Sequence, residues 1–151
     1  MPRLLAIEVS PADGQVAMLD ATWQDYPVWD SDDEWVAFRA PSLADPDRPP
    51  YPGFAVAAGG RIRRRGARTV VVEVWGREAP AGGHEVFRSV LSVGRHGVEV
   101  GNEDSGALTR LAIPEGQHDL QVWVDGHQPD QVTWIGFVLP ELTMTSRLVR
   151  W

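Results

Sequence analysis

Thr69-Val70-Val71-Val72-Glu73-Val74-Trp75 is the stretch that decides the fold class of this chain. β-Branched and aromatic residues lose rotamer freedom in a helix and pack well on a pleated surface, so the run predicts a strand. Its valines fall on both faces of that strand, which predicts a central position in a sheet. Outward from it the same chemistry recurs at short intervals. Leu120-Gln121-Val122-Trp123-Val124 alternates with period two and stops at Asp125-Gly126. Residues 85–93 place Phe87, Ser89, Leu91 and Val93 on one face and Arg88 on the other. Strands are also predicted over residues 5–9, 15–19, 35–39, 54–58, 98–101, 108–113, 132–139 and 148–151, most of them bounded by glycine, proline or Asp-Gly turns. The Asp13-Gly14 turn predicts a hairpin that folds residues 15–19 back onto residues 5–9.

About ten short strands without a sustained 3.6-residue apolar period specify an all-β, antiparallel β-sandwich of jelly-roll-like form. A turn or two of helix within residues 31–36, capped by Asp30 or Ser31, is the best helical candidate. The length of 151 residues suits a single domain spanning residues 1–151. Five prolines between residues 40 and 53 deny the backbone the donors a ladder needs, so that stretch is expected to cross one end of the domain irregularly.

Composition excludes several functions. The chain has no cysteine, so it has no disulfide, thiolate metal site or cysteine nucleophile. No apolar run reaches the roughly 20 residues of a membrane helix, and the acidic Glu8 interrupts anything resembling a leader. A cytoplasmic protein is expected. All 14 basic residues are arginine, and the formal net charge is −7. That charge is local: residues 20–47 hold Asp20, Asp25, Asp30, Asp32, Asp33, Glu34, Asp45 and Asp47 against Arg39 alone. The remainder is neutral, with a basic cluster of Arg61, Arg63, Arg64, Arg65 and Arg68. Such an acidic chain is not expected to bind nucleic acid, because phosphate would be repelled.

Catalytic patterns are missing. No G-x-S-x-G elbow surrounds any serine, and neither Gly59-Gly60 nor Gly82-Gly83 has the spacing of a phosphate loop. His84, His96, His118 and His127 form no paired-ligand spacing, so no metal and no cofactor are expected. The acids of residues 30–34 lack the glycine and distal glutamate of a calcium loop. What stands out instead is Trp23, Tyr26, Trp29 and Trp35 interleaved with Asp25, Asp30, Asp32, Asp33 and Glu34. Aromatic side chains supply contact area at low entropic cost, and carboxylates steer a basic surface toward it. Trp23, Tyr26, Trp29, Asp30, Asp32, Asp33 and Glu34 are therefore the expected partner-binding residues, with a basic protein as the partner. A solvated acidic face over core-capping tryptophans is the plainer alternative. Seven tryptophans also allow a small-ligand or carbohydrate-binding module that stacks sugars on exposed rings such as Trp123, and self-assembly is a third option. The oligomeric state stays open.

Within residues 87–138 a strand, glycine turn, strand, polar turn and strand lead into Leu111-Ala112-Ile113-Pro114-Glu115-Gly116-Gln117-His118-Asp119-Leu120-Gln121-Val122-Trp123. This layout resembles the small bacterial ComJ-like proteins, known for a nuclease-inhibitor role in competence, and a wider group of bacterial β-sandwich proteins. The resemblance covers about a third of the chain and ends short of the acidic aromatic segment. It implies an inhibitor or immunity protein that neutralises a basic nuclease or toxin, without catalysis, and it carries over no catalytic residue.

Overall fold

Period-two alternation gives each strand one apolar face, and the chain buries those faces between two sheets. The computed structural model describes residues 3–11, 15–21, 29–30, 34–39, 51–59, 61–62, 68–78, 80, 82–102 and 107–142. Twelve strands lie within them. They are β1 (Arg3–Val9), β2 (Gln15–Asp20), β3 (Trp29–Asp30), β4 (Val36–Arg39), β5 (Gly53–Ala57) and β6 (Arg61–Ile62), followed by β7 (Arg68–Gly76), β8 (His84–Val93), β9 (Val98–Asn102), β10 (Ala107–Leu111), β11 (Gly116–Val124) and β12 (Trp134–Leu139). The first sheet runs β1-β7-β12-β11-β8, with β6 paired to β7, and the second runs β10-β9-β2-β5-β4-β3. No helix among the described residues is long and apolar enough to cross a membrane.

The core lies between the sheets. Val70, Val72 and Val74 of β7, Leu120, Val122 and Val124 of β11, and Ile135 and Phe137 of β12 are buried in one cluster with Val16 and Met18 of β2, Phe54 and Val56 of β5, and Val98 and Val100 of β9. Phe54 is where the sheets meet most directly. Its ring packs edge-on against Tyr51 at 5.8 Å and, across the sandwich, against Phe87 of β8 at 5.6 Å. Tyr51 then bridges to Leu91, its N–H donating to the Val90 carbonyl and its carbonyl accepting from Ser92. The end of the proline-rich stretch is thereby pinned across the edge strand β8.

The sandwich and the inward placement of Leu91 and Val93 agree with the alternation. So does the position of β7 between two neighbours, β1 and β12. Three expectations are corrected. The hairpin across Asp13-Gly14 does not form: β1 pairs β7 in the first sheet, while β2 pairs β5 and β9 in the second. Val16 to Asp20 are buried at every position, and a strand covered on both faces and both edges needs two neighbours that a hairpin cannot supply. Second, β12 lies parallel to β7, with Ile135 beside Val72 and Phe137 beside Val74, so the first sheet is mixed. Third, Glu34 and Trp35 form a bend and Val36 already begins β4, so no helix extends to Val36. The terminal strand expected over residues 148–151 lies outside the described residues.

The turn after β8 carries the chain from one sheet to the other, and it depends on a glycine. Gly97 has φ of 75°, and a Cβ there would sit 2.4 Å from the Leu111 carbonyl oxygen. A side chain would be both strained and obstructed. The same turn is held to the second sheet by Asp20, whose Oδ1 accepts the Gly94 N–H at 3.0 Å. Asp20 is only 2% exposed, so this acid belongs to the interior and not to the acidic face.

A β-bulge shapes the outer side of β8. Phe87 opposes Val122 while Glu85 opposes Trp123, so Val86 is the extra residue and Glu85 and Arg88 emerge on the same face. Arg88 reaches Glu85 through two hydrogen bonds, Nε to Oε1 at 2.7 Å and Nη2 to Oε2 at 2.9 Å. The Arg88 guanidinium holds the Glu85 carboxyl below the usual range, chiefly through those bonds and against a smaller opposing effect of burial. A carboxylate lowered in this way contributes stability above its unfolded-state pKa and loses that contribution as pH falls through its folded-state value. Arg88→Ala should therefore move the Glu85 titration up toward an ordinary glutamate in a carbon-detected NMR titration. The thermal midpoint at neutral pH should barely change, since the pair is exposed.

Candidate partner-binding face

The acidic aromatic segment enters the second sheet at its edge. Trp29 and Asp30 form β3, the outermost strand, with Trp29 opposite Arg39 and Asp30 opposite Phe38. Glu34 follows in the bend before β4 and is exposed. Trp23, Tyr26, Asp32 and Asp33 lie outside the described residues. The structure thus places Trp29 and Asp30 in the strand β3 and Glu34 in the bend before its neighbour β4.

Beside Glu34 a groove of about 580 Å³ is lined by Glu34, His127, Gln128, Pro129 and Asp130. It lies at one end of the sandwich, where elements of both sheets converge. Trp35 is anchored by its carbonyl, which accepts the Ala57 N–H at 2.9 Å, and its ring packs on the core. Edge-on to Trp35, at 6.3 Å, stands His84, the first residue of β8. His84 in turn stacks on His127 with ring centroids 5.5 Å apart and planes inclined by 19°. His84 is thus half-buried in a ring stack. Of these three rings His127 lines the groove.

The other wall is the 3-10 turn Pro129–Gln131. Gly59 donates its N–H to the Pro129 carbonyl at 2.9 Å, and a Cβ at Gly59 would lie 2.1 Å from the Asp130 carbonyl oxygen. Only a glycine lets the end of β5 approach this turn so closely. Further along, Asp125 accepts hydrogen bonds from the Thr133 and Trp134 N–H groups at 2.9 and 3.1 Å, fixing the exit into β12. Asp130 is therefore held in position by backbone contacts, not by its own side chain.

The sequence pointed to Glu34 but not to His127, Asp130 or His84. Their only signal is a polar Gly-His and Pro-Asp turn, which reads as an ordinary loop. Nothing local says that this loop meets the acidic segment across the sandwich. Among the described residues no three potential metal-ligating side chains come together.

The tryptophans of the first sheet occupy its outer face. Trp123 is half-buried, with its indole N–H donating to Gln121 at 3.1 Å. Trp134 donates its indole N–H to Glu73 and fills the space above two glycines: a Cβ at Gly136 or at Gly83 would lie within 2.8 Å of the ring. A tryptophan folded over strand glycine restores packing that the missing side chain loses. Trp134 is thereby covered by the Gly82-Gly83 loop and does not stand out as a free platform.

The sandwich is similar to ComJ. That protein of Bacillus subtilis, the inhibitor of the DNA degrading activity of NucA, aligns with a TM-score of 0.50, covering 91% of this chain and 96% of its own at 14% identity. At that identity the likeness is one of fold. It extends well beyond residues 87–138, where the sequence layout alone suggests it. No protein-family model and no curated protein sequence matches the chain.

Proposed function

We propose that this chain is a non-catalytic binding protein that neutralises a basic nuclease or toxin in the cytoplasm. The observation that carries this reading is the place of the acidic segment in the chain's fold: Asp30 belongs to the outermost strand β3 and the exposed Glu34 to the bend before β4, in a sandwich similar to that of a nuclease inhibitor. In this role Asp30, Asp32, Asp33 and Glu34 form the electrostatic face, and Trp23, Tyr26 and Trp29 are the aromatic anchors. Charge located on one edge raises the encounter rate with an oppositely charged surface, while aromatic anchors slow departure. An enzyme that degrades DNA needs a basic surface for its phosphate substrate, so the complementarity is built into that partner's own chemistry. The lack of cysteine suits a reducing compartment.

The test uses the full chain immobilised and exposed to extract from its native host. The expected result is a retained basic protein whose DNA degradation, once eluted, is abolished by about one equivalent of free chain, since a specific inhibitor of this kind is saturated at nanomolar concentrations. An eluate without nuclease or toxin activity that the free chain suppresses would refute the assignment.

A further inference from the structure

We propose that the groove between Glu34 and Asp130 is a socket for an arginine side chain presented by the protein partner. This rests on the reading of the chain as a binder of a basic protein, and it names the place and the chemistry of one contact. The groove is lined by two acids from different parts of the chain, Glu34 before β4 and Asp130 in the turn before β12. Among the described residues neither carboxylate has a hydrogen-bonding or ionic partner, unlike Glu73, Glu85 and Glu99, each of which is bound by an arginine. Among the described residues that line the groove there is no arginine. Arg68 does not line the groove; its guanidinium donates to the Gly59 carbonyl at 3.2 Å.

The rest of the lining selects the kind of cation. His127 is an exposed imidazole with His84 stacked on its ring, and His84 in turn meets Trp35 edge-on. Asp130 is fixed by the Gly59 contact. A planar guanidinium can lie against a ring and donate to carboxylates on either side, with five donors in a rigid fork. An ammonium is a compact, strongly hydrated point charge and gains little from the flat wall. Side-chain amides and carbonyls, such as Gln128 in the lining, are further acceptors that a fork can use.

The probe is N-acetyl-arginine amide titrated into the full chain, followed by the imidazole resonances of His127 and His84 and the indole N–H of Trp35. No nuclease is needed, so the socket can fail while inhibition holds, and the reverse. The expected result is a saturable shift at His127 in the millimolar range, with the lysine analogue at least about threefold weaker. In the Glu34→Gln, Asp130→Asn double variant binding should weaken about fivefold or more, as expected for two charge-assisted contacts at a solvated site. Both residues are exposed, so the variant should keep the parent amide spectrum. Absence of a saturable shift, equal binding of the lysine analogue, or unchanged affinity in the double variant would each overturn the proposal.

Discussion

Phe54→Ala should lower the unfolding free energy by about 3–5 kcal/mol, the range for removing a fully buried aromatic ring. The site can collapse only poorly. Phe54 stands on β5 between β2 and β4, opposite Met18 and Phe38, and its ring joins Tyr51 to Phe87 of the other sheet. Removing it opens a void at the contact between the two sheets and loosens Tyr51, which pins the edge strand β8. Urea denaturation followed by tryptophan fluorescence checks this. The midpoint should fall with the denaturant slope unchanged, which separates lost stability from a change in the denatured state. A loss below about 1 kcal/mol would mean that the sheets meet elsewhere.

Reversing Asp32 and Asp33 to lysine should slow association with the basic partner by about 10- to 100-fold at low salt, within the span that electrostatic steering covers. The dissociation rate should change less, since aromatic anchors and not rim charges hold a formed complex. The dependence of the association rate on salt should also flatten, because screening acts on the charges that have been removed. Stopped-flow or surface-based kinetics at several ionic strengths measures both quantities. Equal rates for the parent and the reversed chain at low salt would remove the acidic segment from the interface. A matched reversal at Glu115 and Asp119, at the far end of β11 and both exposed, should leave the rate close to that of the parent and separates local steering from a change in net charge.

Strand identity was legible because alternation is a property of neighbouring residues. Val70, Val72 and Val74, and the Leu-Val-Val series of residues 120–124, report burial on one face wherever the strand ends up. Pairing was not legible. β1 and β2 are joined by a good turn sequence, yet they separate, β1 to β7 in one sheet and β2 to β5 and β9 in the other. β7 and β12 align in parallel although no local feature distinguishes a parallel from an antiparallel neighbour at that position. For the site, the concentration of acids with aromatics was plain from composition. Asp20 belongs to that concentration in sequence, yet its buried carboxylate holds Gly94 inside the fold.

The sequence by itself determined that the chain is all-β, where most of its strands begin and end, and that its charge belongs to one segment. These follow from backbone periodicity and side-chain chemistry, which act over a few residues. Only the tertiary structure decided the strand order, the stacking of His127 on His84, and the presence of Glu34 and Asp130 in one groove. Those depend on which distant strands share a core. That choice is settled by total apolar burial across both sheets, not by any stretch read alone.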